Sequence, residues 1–404
     1  MESGKKQSIN VIVIGSGMYA IGRGTQGFGT IIPSLFEAKK IDLIDDITIV
    51  GTKTQNKKMI DKKIKSLNKK MGTNYSVEYF PKEKNDSEAY KKIIKKQTKN
   101  TCAIVSAPDH LHFKISKELI KNNIHVLSVK PLTPTVDEVR KLIKLQKQKK
   151  VYCAVEFHKR FDEANLEILE IIKKRKIGEP LYWLVEFSQK NTIPTDYFKK
   201  WVKNTNIFQY LGVHYADLIY FFTKAHPKRV LAIGQKNYLI KKKIDTYDSI
   251  QAIIEWYDEK TKKTFISCIL TNWIDPKKTS AMSDQKIKVI GTKGRIESDQ
   301  KNRGLKLIEE KNGIEHINPY FSKFYYDING KKEAFKGYGH ASINQFIKDV
   351  YSIVNKESKL NEIRGLRATF EEAIFSTSVI EAVNISLKNN NKWIKIDKDF
   401  NLTV

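Results

Sequence analysis

INVIVIGSGMYA, residues 9–20, is the stretch that decides the fold of this chain. Ile9 to Ile14 is an apolar run rich in β-branched residues, which predicts a buried strand of a parallel sheet. The pattern G-x-G-x-x-A follows it at once. Between a strand and a helix, this pattern lets the backbone approach a pyrophosphate, whose charge the helix N-terminus favours. We therefore expect a dinucleotide at this turn, in contact with Gly15, Ser16, Gly17, Met18 and Tyr19.

A second glycine-rich segment, residues 22–29, follows the first turn. It holds four glycines, and each glycine inside a helix costs about 1 kcal/mol relative to alanine. We expect an inserted loop here, before helical spacing resumes at residues 31–38. Arg23 in this loop either binds a phosphate of the cofactor or substrate or is solvated.

The end of the second predicted strand, residues 47–50, bears on the type of dinucleotide. An acidic residue after this strand usually holds the ribose 2′-hydroxyl of NAD, whereas a 2′-phosphate needs positive charge and small donors. The sequence after Val50 is Gly-Thr-Lys-Thr, which contains no acid and offers Thr52 and Lys53. NADP is therefore predicted in preference to NAD.

Strands and helices then alternate regularly up to residue 155. Predicted helices cover 55–70, 87–96, 111–121 and 135–147, and predicted strands cover 76–80, 101–106, 124–131 and 151–155. This alternation predicts right-handed crossovers and a doubly wound parallel sheet. Ligands of such sheets bind at the carboxyl ends of the strands, where Ala107, Pro108, His110 and Lys130 are placed. Lys130 is either a solvated strand end or a group that reaches the ligand.

The pattern changes after residue 155. Long strands are predicted at 181–190, 230–240, 249–257, 264–273 and 285–291, with helices at 163–174, 208–222, 341–354 and 365–387. Residues 301–336 show no regular pattern. We predict an α/β Rossmann domain at 1–155, followed at 156–404 by an α+β domain with a mostly antiparallel open sheet; the terminal helix could pack back on the first domain.

Composition limits the classes of function. The 404 residues, 40% of them hydrophobic, suffice for two domains with their own cores. The net charge of +28 invites nucleic-acid binding, but only nine of the 73 basic residues are arginine, and the lysines are spread over many helices. We expect no specific nucleic-acid binding; the charge instead favours anionic substrates or a phosphorylated cofactor.

Targeting and metal signals are missing from the sequence. No apolar run reaches the roughly 20 residues that a membrane helix needs, and residues 1–8 contain no secretory signal. We expect a soluble, cytoplasmic protein. The spacing of Cys102, Cys153 and Cys268 matches no zinc or redox motif, which favours buried, reduced thiols and no metal site.

The order of these motifs resembles the Gfo/Idh/MocA family of nicotinamide-dependent oxidoreductases over nearly the whole chain. The resemblance rests on the first turn and on S-A-P-D-H at 106–110, K-P at 130–131, R-F-D at 160–162, G-V-H-Y-A-D at 212–217 and G-L-R-A-T-F-E-E-A at 365–373. It implies a Rossmann domain, a C-terminal domain whose open sheet often forms homo-oligomers, and oxidation or reduction at a hydroxyl carbon of a sugar, cyclitol or related compound.

The sequence departs from the family at two positions. Val129 stands where members usually carry an acidic residue before the K-P pair, so the group that positions Lys130 must come from elsewhere. Tyr210 stands where many members carry an aspartate, one helical turn before His214. Tyrosine can donate a hydrogen bond or relay a proton, but it cannot hold the histidine by charge.

Hydride transfer needs a proton acceptor and a polarising donor beside the cofactor. We expect Lys130 to hydrogen-bond the reacting oxygen and His214 to act as base in oxidation or acid in reduction, with Tyr210 orienting or relaying. The alternative for His214 is a structural role as a buried residue of the helix. Three further residues either contact substrate or have a structural role, namely His158, Arg160 and Asp217. The alternative function is a non-catalytic sensor that binds the dinucleotide.

Overall fold

Six strands between residues 9 and 156 form one parallel sheet in the computed structural model, which describes residues 6–97, 100–311, 313–326, 332–364 and 367–404. The strands are β1 (Ile9–Ile14), β2 (Ile44–Val50), β3 (Glu78–Phe80), β4 (Thr101–Val105), β5 (His125–Val129) and β6 (Cys153–Glu156). They are ordered β3-β2-β1-β4-β5-β6, with every neighbouring pair parallel. This confirms the predicted doubly wound sheet, whose strand order reverses beside β1.

The connecting helices cover the sheet with apolar stripes. They are α1 (Met18–Ile21), α2 (Ile31–Lys40), α3 (Asn56–Met71), α4 (Ala89–Ile94), α5 (His112–Lys121) and α6 (Val136–Lys149). In α3, Ile60, Ile64 and Leu67 are buried at helical spacing, whereas its lysines are exposed or partly exposed. The lysines of this helix therefore lie on a solvated face.

Contacts divide the chain into two units that are discontinuous in sequence. One unit contains the chain up to Leu132 with residues 140–161 and 320–371, and the other contains residues 133–139, 162–319 and 372–404. The described residues of 320–371 thus pack with the parallel sheet, although six strands of a second sheet, between residues 180 and 299, precede them in the chain.

The second unit is built on an eight-stranded mixed sheet. Its helices include α7 (Glu163–Lys173) and α8 (Val213–Thr223), and its strands are β7 (Pro180–Lys190), β8 (His226–Gln235), β9 (Ser249–Asp258), β10 (Lys263–Asp275), β11 (Ser283–Gly291), β12 (Gly294–Asp299), β13 (Lys306–Glu309), β14 (Gly313–His316), β17 (Ile394–Ile396) and β18 (Leu402–Thr403). Strands β15 (Lys323–Tyr326) and β16 (Glu333–Lys336) belong to the first unit. The order in the sheet is β12-β11-β7-β10-β9-β8-β17-β18. Only β7 and β10 pair in parallel among its described strands, which confirms the mostly antiparallel sheet.

One face of this sheet is buried and the other is open. Alternate residues of β9 from Ile250 to Trp256 are buried in a core that includes residues of α7 and α8. On the opposite side Ile253, Ile233 and Tyr182 are exposed. This alternation is typical of an antiparallel sheet with one solvated face.

Two predictions in this part of the chain are wrong. The strand predicted at 230–240 ends at Gln235, and α9 (Tyr238–Lys241) follows. The carboxylate of Asp248 accepts hydrogen bonds from the backbone N–H groups of residues 237–239, which stabilises this turn. Residues 301–336, predicted to be irregular, contain the hairpins β13-β14 and β15-β16. Their strands are only four residues long, and Phe335 is their one buried residue, so they leave no strong apolar pattern in the sequence.

The last helices are α10 (Tyr338–Val354), α11 (Leu360–Arg364) and α12 (Phe370–Lys388). Helix α10 packs in the first unit against α2 and the turn after β6. The helix predicted at 365–387 starts only at Phe370; residues 365 and 366 lie outside the described residues. The reason is that Ala368 accepts a hydrogen bond from the backbone N–H of Val155, at 2.7 Å, and Thr369 forms a β-bridge with Ala154.

The cysteines are free thiols: Cys102 and Cys153 are buried and Cys268 is partly buried. Across the described ranges, no helix has both the length and the apolar character required to cross a membrane. In the same residues, no group of three or more His, Cys, Asp or Glu side chains is placed to hold a metal ion.

Candidate active site

The first turn is wedged against the ends of β2 and β4. Gly15 has φ +118°, and a Cβ built on it would overlap the carbonyl oxygen of Ser106. Its N–H donates to the carbonyl of Val50 at 2.9 Å. Gly17 caps α1 at φ −85°, and a Cβ at this position would meet no atom within 4 Å. Gly15 is therefore required by packing, whereas Gly17 leaves open space before the helix.

This geometry fits a pyrophosphate. The first N–H groups of a helix have no partners within the helix, and they favour a negative charge. Ser16, Met18 and Tyr19 lie on the same turn, and the missing side chain of Gly17 leaves the backbone accessible. The five residues predicted to contact the dinucleotide at the first turn, residues 15–19, thus lie together between β1 and α1.

The glycine-rich loop after α1 is present as predicted. Helix α1 ends at Gly22, which has φ +69°, and α2 begins only at Ile31. A Cβ on Gly29 would lie 2.7 Å from the carbonyl oxygen of Tyr19, so the loop returns closely onto the first turn. Lys63 donates to the carbonyl oxygens of Thr25 at 2.8 Å and of Gly27. These contacts fix the backbone of the loop.

Arg23 lies at the start of this loop. Its side chain is exposed, and its backbone N–H donates to the carbonyl of Gly17 at 3.4 Å. The backbone bond places Arg23 beside the first turn. Binding of a phosphate by its guanidinium stays a prediction.

The turn after β2 presents Thr52 and Lys53 with exposed side chains. The hydroxyl of Tyr79 donates to the carbonyl of Lys53 at 2.6 Å, and the N–H of Asp86 donates to the carbonyl of Thr52 at 3.0 Å. The backbone is therefore fixed while both side chains are accessible. The carboxylate of Asp86 accepts from Lys92 at 2.9 Å, which lowers the pKa of Asp86.

The turns after β4 and β5 are joined by a histidine that the sequence analysis missed. His112 is fully buried, with Nδ1 at 2.7 Å from the carbonyl oxygen of Pro131 and Nε2 at 2.8 Å from that of Ala107. Both ring nitrogens of His112 therefore lie within hydrogen-bond distance of a backbone carbonyl oxygen. The sequence does hold a signal, because His112 occupies the buried stripe of α5 with Ile115 and Leu119. Pro108 precedes this helix, and His110 is exposed.

Lys130 follows the last residue of β5 and is partly buried. Burial lowers the pKa of Lys130 to about 8, while the negative charges of Asp109 and Glu156 act in the opposite direction. The two carboxylates come from the turn after β4 and from the end of β6. Lys130 thus lies at the predicted edge, between groups supplied by both neighbouring strands.

His158, predicted to contact substrate, binds Glu156. Its Nδ1 donates to the carboxylate at 3.0 Å, and its ring lies 5.8 Å from that of Tyr338 and 6.3 Å from that of Tyr19, measured between centroids. Burial and the charge of Glu156 raise the pKa of Tyr19 well above its ordinary value. Arg160 is buried, with its guanidinium 5.8 Å from the centroid of the Phe157 ring. Substrate contacts by His158 and Arg160 stay predictions.

The second unit carries the other predicted group. The helix predicted at 208–222 starts with a π-helical turn, Phe208–Gly212, before α8. Tyr210 on this turn packs edge-on against Phe198, with centroids 4.8 Å apart. His214 and Asp217 on α8 are 4% and 1% exposed, and the ring of His214 lies 6.2 Å from that of Phe187. The catalytic and substrate-binding roles of Tyr210, His214 and Asp217 stay predictions.

Both parts of the chain match known protein families. Residues 46–157 match the family described as "Oxidoreductase family, NAD-binding Rossmann fold", and residues 165–297 match the "GFO/IDH/MocA C-terminal domain". The chain belongs to the Gfo/Idh/MocA family. Its members are oxidoreductases by description, and the predicted resemblance is confirmed.

Three proteins illustrate how this Gfo/Idh/MocA chain relates to others. An uncharacterised oxidoreductase of Schizosaccharomyces pombe is 33% identical over 76 residues, which are 19% of this chain and 21% of that protein. The scyllo-inositol dehydrogenase of Lactobacillus casei, solved with NAD(H) and scyllo-inositol, is 14% identical over 96% of this chain and 99% of its own, with a TM-score of 0.64. GenD2 from gentamicin A biosynthesis, solved with NAD, is 17% identical over 97% of each chain, with a TM-score of 0.67. The matches in structure show a shared fold, and the sequence match spans about a fifth of the curated relative.

Proposed function

We propose that this member of the Gfo/Idh/MocA family transfers a hydride between a nicotinamide dinucleotide and a hydroxyl or keto carbon of a sugar, cyclitol or sugar derivative. The observation that carries the proposal is the geometry of the first turn, where Gly15 packs against Ser106 and the space beside the Cα of Gly17 is empty. This turn lies at the same edge of the sheet as Lys130. The similarity in fold to proteins named as inositol dehydrogenases supports the class of substrate. The division into a dinucleotide part, residues 1–155, and a substrate part, residues 156–404, belongs to the same proposal.

The dinucleotide is proposed to be NADP in preference to NAD. Thr52 and Lys53 would receive the 2′-phosphate, because both are exposed on a turn without an acid of its own. Arg23 would add a second positive charge beside the pyrophosphate. When bound, the nicotinamide accepts or donates the hydride. The other contacts would come from the first turn and from the turn after β4, with residues Gly15, Ser16, Gly17, Met18, Tyr19, Ala107, Pro108 and His110.

The proton transfer is proposed to use two groups. Lys130 in its ammonium form donates a hydrogen bond to the reacting oxygen, and His214 takes the hydroxyl proton in oxidation or returns it in reduction. Tyr210 orients or relays to His214. Substrate hydroxyls would be bound by His158, Arg160 and Asp217.

The test uses the full-length protein. Mass spectrometry identifies any dinucleotide that co-purifies, and the absorbance of reduced nicotinamide follows turnover with NADP or NAD and a panel of inositols and sugars. Lys130→Met keeps the apolar part of the side chain and removes the charge; Lys121→Met on the exposed end of α5 is the control. We expect kcat to fall by roughly 100-fold or more for Lys130→Met only. Turnover of no panel compound, together with unchanged dinucleotide binding by Lys130→Met, would contradict the proposal.

The alternative is a sensor that binds the dinucleotide without turnover. The observation in its favour is Tyr210, which packs against the rings of Phe198 and Trp273. A sensor would bind a partner in a dinucleotide-dependent manner and would turn over no substrate. Either function is compatible with a homo-oligomer formed through the open face of the second sheet, which we propose on the exposed side chains of Tyr182, Ile233 and Ile253.

A further inference from the structure

The end of β6 carries a buried carboxylate to which the proposed reaction gives no role. Glu156 is 2% exposed. Burying a carboxylate is unfavourable unless its oxygens are satisfied, and both are. Ser342 of α10 donates its hydroxyl to Oε1 at 2.5 Å, and His158 donates from Nδ1 to Oε2 at 3.0 Å. The structure therefore holds Glu156 in one orientation.

The position of Glu156 relative to β5 is fixed by the sheet. Val129, the last residue of β5, is the register partner of Glu156 in the parallel ladder between β5 and β6. Paired strands lie roughly 4.8 Å apart, and Lys130 is the next residue after Val129. Val129 has no charge to offer Lys130. The neighbouring strand, β6, supplies a carboxylate, Glu156, at the same level of the sheet.

The groups around this pair define its electrostatics. Lys130 is acted on by Asp109 from the turn after β4 and by Glu156 from β6. Glu156 in turn faces His158 and Ser342, and its charge also acts on Tyr19 of α1. Two further residues pack next to these groups and carry no negative charge. Tyr338 of α10 stacks on His158, and His112 of α5 contacts the carbonyl of Pro131.

We propose that Glu156, held by His158 and Ser342, is a positioning residue that keeps Lys130 protonated at the edge of the sheet. Its consequence for turnover rests on the proposed function, whereas its effect on Lys130 does not. Glu156 reaches the reaction only through Lys130. His158 and Ser342 act on Lys130 only indirectly, because their hydrogen bonds hold the carboxylate of Glu156 in place.

The direct test measures Lys130 itself. Acetic anhydride acetylates neutral amines, so mass spectrometry of the Lys130 peptide between about pH 6 and 11 gives the titration midpoint of this lysine. Glu156→Gln removes the charge and keeps groups that can hydrogen-bond Ser342 and His158. We expect the Lys130 midpoint to fall by at least about one pH unit, because an opposite charge a few ångström away shifts a pKa by about 1–3 units. Glu78→Gln is the control, because Glu78 lies on β3 of the same sheet with its side chain 58% exposed.

A second variant separates charge from structural damage. Val129 is partly exposed, so glutamate at this position can place a carboxylate beside Lys130 from its own strand. Val129→Glu alone should raise the Lys130 midpoint, and in the Glu156→Gln background it should restore it. An unchanged midpoint in Glu156→Gln, or failure of Val129→Glu to raise it, would overturn the inference. Loss of stability without a shift of the midpoint would mean that Glu156 is only structural.

Turnover provides the final arm, with NADP or NAD and scyllo-inositol or myo-inositol as the probes. If Lys130 acts as an ammonium donor, activity is lost as the pH rises through its pKa, so Glu156→Gln should move the alkaline limb of kcat/KM to lower pH and leave the acidic limb in place. A shifted labelling midpoint without turnover of any panel compound would refute the proposed function and leave the inference standing. Turnover with an unshifted midpoint would refute the inference alone.

Discussion

Replacing Gly17 by alanine should weaken dinucleotide binding without weakening the fold. The backbone of Gly17, with φ −85° and ψ −167°, is one that alanine adopts, and its Cβ would meet no atom within 4 Å. Fewer conformations in the unfolded chain favour alanine by about 0.4–1 kcal/mol, and loss of a good helix cap disfavours it by a similar amount. We therefore expect the free energy of unfolding to stay within about 0.5 kcal/mol of wild type.

The cost should appear in binding. The added methyl group would occupy the open space through which a pyrophosphate approaches the first N–H groups of α1. A hydrogen bond to a charged group is worth about 1.5–3 kcal/mol, so the loss of one corresponds to a roughly 10- to 100-fold higher Kd.

Gly15→Ala is the matched control, because the same substitution two residues away meets the opposite environment. Gly15 has φ +118°, and its new Cβ would overlap the carbonyl oxygen of Ser106. Backbone strain of this kind costs about 1–3 kcal/mol, and displacement of the end of β4 adds to it. We expect Gly15→Ala to lower the free energy of unfolding by about 3 kcal/mol.

The assay combines urea unfolding of each variant with calorimetric titration of NADPH and NADH. We expect the two substitutions to have different effects: Gly17→Ala lowers only the affinity for the dinucleotide, and Gly15→Ala lowers the free energy of unfolding. Equal destabilisation of the two variants, or wild-type affinity in Gly17→Ala, would refute this expectation.

Two further predictions concern buried histidines of the first unit. His112→Ala removes the contacts to the carbonyls of Pro131 and Ala107 and should lower the free energy of unfolding by about 3 kcal/mol. His110→Ala, at an exposed position two residues earlier, should change it by less than about 0.5 kcal/mol. Similar urea midpoints for the two variants would show that the contacts of His112 do not stabilise the fold. Burial lowers the pKa of His125 from 6.5, its value in the unfolded chain, to about 4. Between these two values the unfolded state binds more protons than the folded state, so stability is lost as the pH falls from about 6.5 toward 4. Between pH 7 and 5 this should amount to about 2 kcal/mol, and His125→Asn should flatten the dependence; an equally steep variant would show that other groups cause it.

The sequence predicts the first sheet well because its signals are local. Apolar runs, glycines and the spacing of α3 are each contained in fewer than 20 residues, and they determine which segments become strands and helices. The interruption by residues 22–29 follows from glycine chemistry in the same way. The end of β8 is different, because the carboxylate that stabilises the turn comes from Asp248, beyond the turn itself.

Local sequence patterns do not predict which side chains surround Lys130 in the candidate site. Val129 indicates that the positioning group comes from elsewhere, but the sequence does not say from where. The structure brings Glu156 to Lys130 through the register of β5 and β6, and it brings Ser342 to Glu156 across 186 residues. Such contacts depend on the tertiary fold. His112 was missed for another reason: a histidine in an apolar stripe resembles any other buried helix residue.

The return of residues 320–371 to the first unit has a consequence for how the protein is made. A chain growing on the ribosome completes β1 to β6 early, and domains generally fold as units from the N-terminus. Here α2 and the end of β6 lack their packing partner until α10 has been translated. Ser342, which donates a hydrogen bond to Glu156, is translated 186 residues after it. A nascent Rossmann sheet would therefore lack one of the two hydrogen bonds to Glu156 while β7 to β16 are being synthesised. The last stage of translation, not the first, would complete the surroundings of Lys130.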